Sequence, residues 1–343
     1  LKQPFTNTLG TSNYRAGVNT GNTIASGGNF NVLVGDEAGT ALTTGDANVA
    51  LGFEALKTED AHGRTTAIGY QALKIQNAGA DSNNTAVGYS AGVAVTTGVQ
   101  NTLIGSLAGD ALGDADFNVA LGHQALTTDT LGSRTTAIGR NALSAQNFTS
   151  ATDTYNSAVG FNAGNAITTG LRNTIIGGLT GDALTNSSDN TAVGMQALTA
   201  DTLGSGSTAI GQGALATQNF TSAASTYNTA VGYQAGVAIT TGVANTITGS
   251  EAGDALTDAD ENTAIGYAAL SSDTLGSQST AIGAGTLSSQ NFTSAADSNN
   301  TAVGFNAGNG VTTGQANTLI GMIAGDALTD ADHNVAIGVG ALT

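Results

Sequence analysis

Among the residues that recur at fixed spacing in this sequence, aspartate is the one best suited to bind a metal ion or to take part in catalysis. One aspartate in each GDAL segment keeps a step of 72 residues, and in three of the four copies two more follow it. The predicted metal-ligand set is Asp110, Asp114, Asp116, Asp254, Asp258, Asp260, Asp326, Asp330 and Asp332. Several carboxylates on a short loop can coordinate Ca²⁺, which prefers hard oxygen ligands. The alternative, solvated turn residues, agrees with the copy at Asp182, where the middle aspartate is missing.

Phenylalanine forms a second recurring column. Phe148, Phe220 and Phe292 lie 72 residues apart, each within a QNFTS segment. An exposed aromatic ring offers a flat apolar face to a sugar, so this column is a candidate glycan-binding surface. The alternative is that the three rings seal their loops or contact a neighbouring subunit.

A third column repeats in TLGS contexts and consists of Asp129, Asp201 and Asp273. A glycosidase needs one pair of carboxylates at a set separation, one of them with a raised pKa. Surface aspartates that repeat do not supply a single distinctive site, so we expect no enzyme activity and no catalytic residues. Three histidines share no common spacing, which predicts surface turns rather than metal ligands: His62, His123 and His333.

The composition excludes several classes of partner. The 343 residues include eight Lys and Arg against 25 Asp and Glu, which gives a formal charge of −17. Nucleic acids and anionic membranes both require a positively charged surface, so neither is expected as a partner. No apolar run approaches the 18 residues of a membrane span. Only 5% of the residues are aromatic, which predicts a thin core of small side chains extended along one axis.

The elements that position these columns follow from an internal repeat. A glycine that follows a small or branched apolar residue marks each unit, and we call it the marker glycine. Its 18 positions are 35, 52, 69, 88, 105, 122, 139, 160, 177, 194, 211, 232, 249, 266, 283, 304, 321 and 338. Most intervals are 17 residues, with one of 19 and three of 21, so three intervals of 17 and one of 21 make a 72-residue super-repeat. Fixed periods of this length indicate stacked structural units.

Two kinds of unit alternate in pairs. The fourth residue after the marker is glycine in two successive units and leucine in the next two, and we call them glycine coils and leucine coils. Seventeen residues rich in Gly, Thr and Asn are too few, and too poor in helix formers, for a pair of helices. The alternating NTAVG stretch predicts one short strand, and we expect a second around Ala238–Gly242. The sequence therefore predicts an all-β, parallel β-solenoid (β-roll) of about 18 coils.

Two stretches carry a family resemblance, NTAVGYQAGVAITTGVANT from Asn228 and NTAIGYAAL from Asn262. They resemble the NTA(I/V)GYxAL repeats of bacteriophage tail fibres and bacterial surface fibres, which often precede a chaperone domain of the endosialidase type. They are also similar to the head repeats of trimeric autotransporter adhesins. The resemblance covers residues 16–343 and implies a parallel homotrimer. This 72-residue super-period is more elaborate than the family's usual repeat, and we expect no part of these 343 residues to form a chaperone domain.

These observations lead to one expected function and one alternative. We expect residues 1–16 to form an N-terminal cap or junction and residues 17–343 to form the solenoid. The expected function is the shaft of an extracellular or virion fibre that presents or contributes a receptor-binding surface, with copies of itself as partners. The alternative is a multivalent glycan-binding module that uses the recurring QNFTS and GDALTDAD loops. The expected location is extracellular, and the one cofactor considered is Ca²⁺.

Overall fold

The structure, a computed structural model, describes residues 10–343. Within that range it contains no helix and winds as a parallel β-solenoid of about 19 turns, which confirms the predicted fold class. No helix in the described range is therefore long and apolar enough to span a membrane. The chain divides into two compact units, Leu1–Arg172 and Asn173–Thr343.

Nine three-residue strands, one per turn, pair in parallel within the first unit, and we call strands of this kind main strands. They are β1 (Tyr14–Ala16), β2 (Val32–Val34), β3 (Val49–Leu51), β4 (Thr66–Ile68), β5 (Thr85–Val87), β6 (Thr102–Ile104), β7 (Val119–Leu121), β9 (Thr136–Ile138) and β11 (Ser157–Val159). Two strands of two residues also pair in parallel, β8 (Gly132–Ser133) with β10 (Thr152–Asp153).

Ten main strands form the second unit. They are β12 (Thr174–Ile176), β13 (Thr191–Val193), β15 (Thr208–Ile210), β17 (Thr229–Val231), β18 (Thr246–Thr248), β19 (Thr263–Ile265), β21 (Thr280–Ile282), β23 (Thr301–Val303), β24 (Thr318–Ile320) and β25 (Val335–Ile337). Two short pairs accompany them: β14 (Gly204–Ser205) with β16 (Ala224–Ser225), and β20 (Gly276–Ser277) with β22 (Ala296–Asp297).

Along the stack of main strands, residues of the same type often lie over one another in successive coils. In β17 and β18, Thr229 pairs with Thr246 and Ala230 with Ile247. From β2 onward the middle residue of each main strand is buried, whereas its two neighbours are half-buried or exposed. This confirms the predicted alternation, because successive side chains of a strand point to opposite faces. The buried residue is usually alanine, so the branched residues form their ladder on the outer face.

The marker glycine directly follows each main strand, at a point where the backbones of neighbouring coils lie very close together. Gly249 has φ +140°, and a Cβ atom built there would lie 2.3 Å from the carbonyl oxygen of Gly266 in the next coil. No L-amino acid fits this close approach in that conformation, which explains why glycine recurs at this position.

The alternation of glycine and leucine coils has a packing cause. A Cβ atom at Gly236, the fourth residue after its marker, would lie 2.9 Å from Ile239 and 3.1 Å from Leu215. The seventh residue after the marker, Ile239, therefore already fills that space in a glycine coil. In leucine coils the fourth residue is an apolar one such as Leu198 or Leu215, and the seventh residue is polar.

Asparagine supplies a ladder of hydrogen bonds beside the main strands. The Asn228 side chain accepts a hydrogen bond of 2.9 Å from the backbone N–H of Asn245, one coil further on. Asn245 in turn accepts from the N–H of Asn262 at 2.9 Å. Most of these side-chain amides also donate to a carbonyl 14 residues ahead, as Asn245 does to Ala259 at 2.7 Å. The ladder satisfies buried polar groups that would otherwise cost stability.

One detail differs from the predictions, and another is left as a prediction. Strand β1 pairs in register with β2 within the segment predicted to be a cap or junction, and that role stays a prediction. Residues 1–9 of the segment lie outside the described residues. The second strand expected at Ala238–Gly242 is absent, since the chain there leaves a turn at Ala238 and bends at Thr240 and Thr241. The second short strands occur instead in the three coil pairs that carry a 21-residue interval, where the extra residues pair with the preceding coil.

Candidate functional site

The aspartates of the GDAL segments lie in turns and loops and bond mainly to the neighbouring coil. Thr241 donates a 2.6 Å hydrogen bond to Asp258, and the backbone N–H of Val243 donates a 2.7 Å hydrogen bond to Asp260. The same contacts recur at Asp114 and Asp116, and Asp332 accepts from a backbone N–H. Among residues 10–343, no three of the nine predicted ligands bring carboxylate oxygens within 4.8 Å of one another. A Ca²⁺ role for them stays a prediction.

Two of these aspartates are partly desolvated. Burial raises the pKa of Asp110, although the Thr127 hydroxyl donates a hydrogen bond to that carboxylate. Burial also raises the pKa of Asp254, and the nearby charge of Glu251 adds to the effect. Asp254 Oδ1 is buried without a hydrogen-bond partner, and Ser271 stands at the position equivalent to Thr127.

The phenylalanine column does not form an exposed platform. Phe148, Phe220 and Phe292 are only 5–8% exposed, so their rings offer no open face to a sugar. Their backbone N–H groups are held by a buried carboxylate of the preceding coil, as in the 3.0 Å bond from Phe148 to Asp129. The structure therefore corrects the glycan-platform interpretation and agrees with the alternative that the rings seal their loops.

The third aspartate column, which the sequence analysis placed at the surface, lies in the interior of the solenoid. Asp201 is fully buried, and its Oδ1 accepts hydrogen bonds from the N–H groups of Gly204 at 3.0 Å and Phe220 at 3.1 Å. Gln218 Nε2 donates to Asp201 Oδ2 at 2.6 Å, and Gln218 Oε1 accepts from Asn228 at 2.9 Å. The same set recurs with Asp129, Gln146 and Asn156 and with Asp273, Gln290 and Asn300. Carboxylates saturated in this way have a structural role.

An exposed, mostly apolar stripe runs along the outer surface of each unit. It consists of the last residue of each main strand and the residue after each marker glycine. In the first unit its large exposed members are Leu51, Phe53, Tyr70, Tyr89, Ile104, Leu121 and Phe161. The rings of Phe53 and Tyr70 stack with centroids 5.4 Å apart, and those of Tyr70 and Tyr89 with centroids 5.2 Å apart.

The stripe in the second unit is free of charge. Its large exposed members are Ile176, Met195, Ile210, Tyr233, Ile265, Tyr267, Ile282, Phe305, Ile320, Met322, Ile337 and Val339. Residues 173–343 contain 13 Asp and Glu and no Lys or Arg, whereas residues 1–172 contain 12 Asp and Glu and all eight Lys and Arg. The 13 acidic side chains of the second unit all lie off the stripe. Exposed apolar patches of this continuity mark interaction surfaces.

No protein-family model matches the chain. A search of curated proteins likewise finds no match.

Sequence reasoning missed the stripe and the buried carboxylates for the same reason. Alternation along a strand separates Ala230 from Thr229 and Val231 but does not say which face is inside, because both faces are partly apolar. The spacing within leucine coils was an available signal for the carboxylates. Asp201 and Gln218 stand seven residues after their markers, where Ile239 stands in a glycine coil.

Proposed function

We propose that this chain forms the shaft of an extracellular or virion fibre, of the tail-fibre or adhesin type, and assembles as a homotrimer. In this role the protein holds a receptor-binding surface away from the particle or cell, or contributes to that surface. Its action is mechanical and requires no catalytic residue.

The observation that carries this proposal is the uncharged stripe on a polyanionic solenoid. Copies that pack side by side in parallel bring like charges together, which is unfavourable unless the contacting faces lack charge. Residues 173–343 satisfy that condition, since 13 acidic residues avoid one uncharged face whose side chains are mostly apolar. Burial of this face contributes about 25 cal/mol per Å² of apolar surface.

The interior supports a mechanical role. Successive coils are joined by strand pairing, by the asparagine ladder, which is interrupted where Thr or Ser replaces asparagine, and, within each pair of leucine coils, by a buried carboxylate–glutamine pair. In stacked repeats the interfaces between neighbours provide much of the stability, so a load along the solenoid is shared by many similar contacts.

The oligomeric state tests the proposal. We expect native mass spectrometry of the purified chain to give three copies per particle. A variant that places charge on the stripe, Ile265→Glu with Ile282→Glu, should dissociate to monomers while its circular dichroism spectrum stays unchanged. The matched control, Ser294→Glu, adds charge at an exposed loop residue off the stripe and should remain trimeric. A monomeric parent chain, or a stripe variant that stays trimeric, would contradict the proposal.

A second candidate function is multivalent glycan binding through the recurring loops. The rings that favour it are Tyr155 and Tyr227, which follow the buried phenylalanines and are 56% and 68% exposed. The guanidinium of Arg134 lies 6.0 Å from the Tyr155 ring centroid and 2.9 Å from a carboxylate oxygen of Asp153. An aromatic ring beside paired charges provides both stacking and hydrogen-bonding groups for a sugar.

A glycan array separates the two candidates, since a pure shaft should bind no glycan. The test variant is Tyr155→Asn with Tyr227→Asn, because asparagine occupies the equivalent position at Asn299 with a similar positive φ. If the loops bind glycans, this variant should lose the signal of the parent chain. An equal signal from both proteins would exclude the two tyrosines as the binding groups.

A further inference from the structure

One segment of the first unit departs from the repeat at three positions that meet in space. This segment belongs to the first of four pairs of leucine coils. In the other three pairs, a glycine lies three residues after the buried aspartate, and a phenylalanine lies two residues after the buried glutamine. The first copy has Glu59, His62 and Ala78 at these positions. Their counterparts in the second copy are Asp129, Gly132 and Phe148.

The three changes depend on one another. In the fourth copy, a Cβ atom at Gly276 would lie 2.2 Å from Asp273 Oδ2 and 2.7 Å from a ring carbon of Phe292. A side chain at that position therefore conflicts with both the short carboxylate and the ring. In the first copy, alanine removes the ring and glutamate replaces aspartate, so the imidazole of His62 fits beside the Glu59 carboxylate.

The geometry leaves ligand atoms available. Glu59 is fully buried, and its Oε2 accepts hydrogen bonds from Gln76 Nε2 at 3.0 Å and from the Ala78 N–H at 3.2 Å. Its Oε1 accepts from the His62 N–H at 3.3 Å and lies 3.7 Å from His62 Nδ1. That separation is too long for a hydrogen bond, and Nδ1 is buried without a partner. Asp60, which is exposed, supplies a third ligand atom.

We propose that Glu59, Asp60 and His62 bind one divalent transition-metal ion of the Zn²⁺ class. Their three ligand atoms lie within 4.8 Å of one another, and no other group of three does so among residues 10–343. Tetrahedral Zn²⁺ with bonds of about 2.0–2.1 Å separates its ligand atoms by about 3.4 Å, close to the observed 3.7 Å.

The surroundings favour such an ion. One imidazole nitrogen and two carboxylate oxygens suit Zn²⁺ better than Ca²⁺, which takes only oxygen ligands. Gln76 and the Ala78 N–H orient the Glu59 carboxylate through Oε2 and leave Oε1 to face the imidazole, which is the usual outer-shell arrangement of a metal ligand. With three protein ligands, a water molecule from solvent would complete the tetrahedral coordination.

Such an ion would join the two ends of the Glu59–His62 turn and stabilise the folded unit by its binding free energy. This inference concerns a site in the first unit alone. It does not rest on the proposed fibre function, and it holds whether or not the chain forms trimers.

The test uses the full chain without an affinity tag, treated with a chelator and titrated with ZnCl₂ by isothermal calorimetry. We expect one ion per chain, a higher thermal midpoint with Zn²⁺, and a visible ligand-field spectrum when Co²⁺ replaces it. His62→Gly and Asp60→Thr restore the residues of the other copies, Gly132 and Thr130, and each should weaken binding at least tenfold. His123→Ala removes an exposed histidine elsewhere and should bind like the parent chain.

Asp60→Thr changes only an exposed side chain, so it keeps the test decisive if His62→Gly perturbs the turn. The proposal is overturned if the parent chain shows no saturable binding of Zn²⁺. It is equally overturned if both site variants bind as the parent does, or if His123→Ala abolishes binding.

Discussion

Asp201 and Gln218 lie one coil apart in the interior of the solenoid, where Gln218 Nε2 donates a 2.6 Å hydrogen bond to Asp201 Oδ2. Both stand seven residues after their marker glycine, the position that Leu184 and Ile239 occupy in glycine coils. The interior therefore changes every two coils from an apolar side chain to a hydrogen-bonded pair. Because the paired leucine coils carry their own apolar residue four residues after the marker, the core remains continuous.

Removal of the buried carboxylate should be among the costliest substitutions in the chain. Asp201→Ala leaves the Gln218 amide and the N–H groups of Gly204 and Phe220 without their acceptor. We expect a loss of about 3–5 kcal/mol in the free energy of unfolding, measured by urea denaturation, with faster hydrogen exchange at Phe220. Asp297→Ala, at an exposed position, should change stability by less than about 0.5 kcal/mol. Equal effects would show that the buried bonds are unimportant.

Substitution of alanine for two adjacent glycines should change the stability of the second unit in opposite directions. Gly177 is a marker with φ +135°, and an added Cβ would lie 2.8 Å from the carbonyl of Gly194, whereas one at Gly178 would meet no atom within 4 Å. Gly177→Ala should destabilise the second unit by at least about 2 kcal/mol because of backbone strain and the clash. Gly178→Ala should be neutral or stabilise by up to about 1 kcal/mol, since it restricts the unfolded chain. Thermal unfolding compares them, and similar midpoints would refute the close-approach explanation.

The desolvated carboxylate of Asp254 should make the second unit less stable at neutral pH. Its folded pKa is raised by burial, so its contribution to stability is complete below the unfolded pKa and is lost as the pH rises through the folded pKa. Asp254→Asn should therefore raise the thermal midpoint by ~1–3 °C at pH 7 and leave it unchanged below about pH 3. Asp182→Asn is the control, because Thr199 donates a hydrogen bond to Asp182 that this change weakens. A gain at both positions would contradict the argument.

Ser271→Thr tests the same site by adding a hydrogen-bond donor for Asp254 instead of removing its charge. Threonine stands one coil after Asp110 and Asp182 in the other copies, and its hydroxyl donates to the carboxylate. The substitution should provide Asp254 with that donor and raise the thermal midpoint at pH 7. In the Asp254→Asn background the added methyl group should give a smaller gain, so equal gains in both backgrounds would exclude the hydrogen bond as the cause.

Glu54 should produce the opposite pH dependence in the first unit. Hydrogen bonds from Lys57, Lys74 and Gln71 lower the pKa of Glu54 to about 2. A lowered folded pKa contributes stability above the unfolded value of about 4.3, and this stability is lost as the pH falls toward 2. Glu54→Gln should therefore lower the thermal midpoint at pH 7 and have a much smaller effect at pH 2. High salt should reduce the difference at pH 7, and an effect independent of both pH and salt would exclude the ion pairs as its cause.

The repeat could be predicted in detail because it depends on backbone requirements that individual residue types satisfy. Glycine at each marker reflects a close approach between coils, as at Gly249, and short runs such as Thr229–Val231 alternate as strands do. The parallel solenoid follows from these local requirements together with the 72-residue period. The second strand predicted at Ala238–Gly242 was wrong because only one of its β-branched residues, Ile239, fills the core, whereas Thr240 and Thr241 are exposed in an irregular segment.

By itself, the amino-acid order determined the period, the strand in each turn, the pairing of glycine and leucine coils, and the columns in which like residues stack. Only the tertiary structure decided which columns face inward. Asp201 is buried, Phe148 is covered, and Ile265 remains exposed, although composition alone would assign the first to solvent and the last to the core. The physical reason is that a coil interior only a few side chains wide is filled by its leucines and its hydrogen-bonded pairs. The small alanines of the strands therefore face inward, and their branched neighbours lie outside.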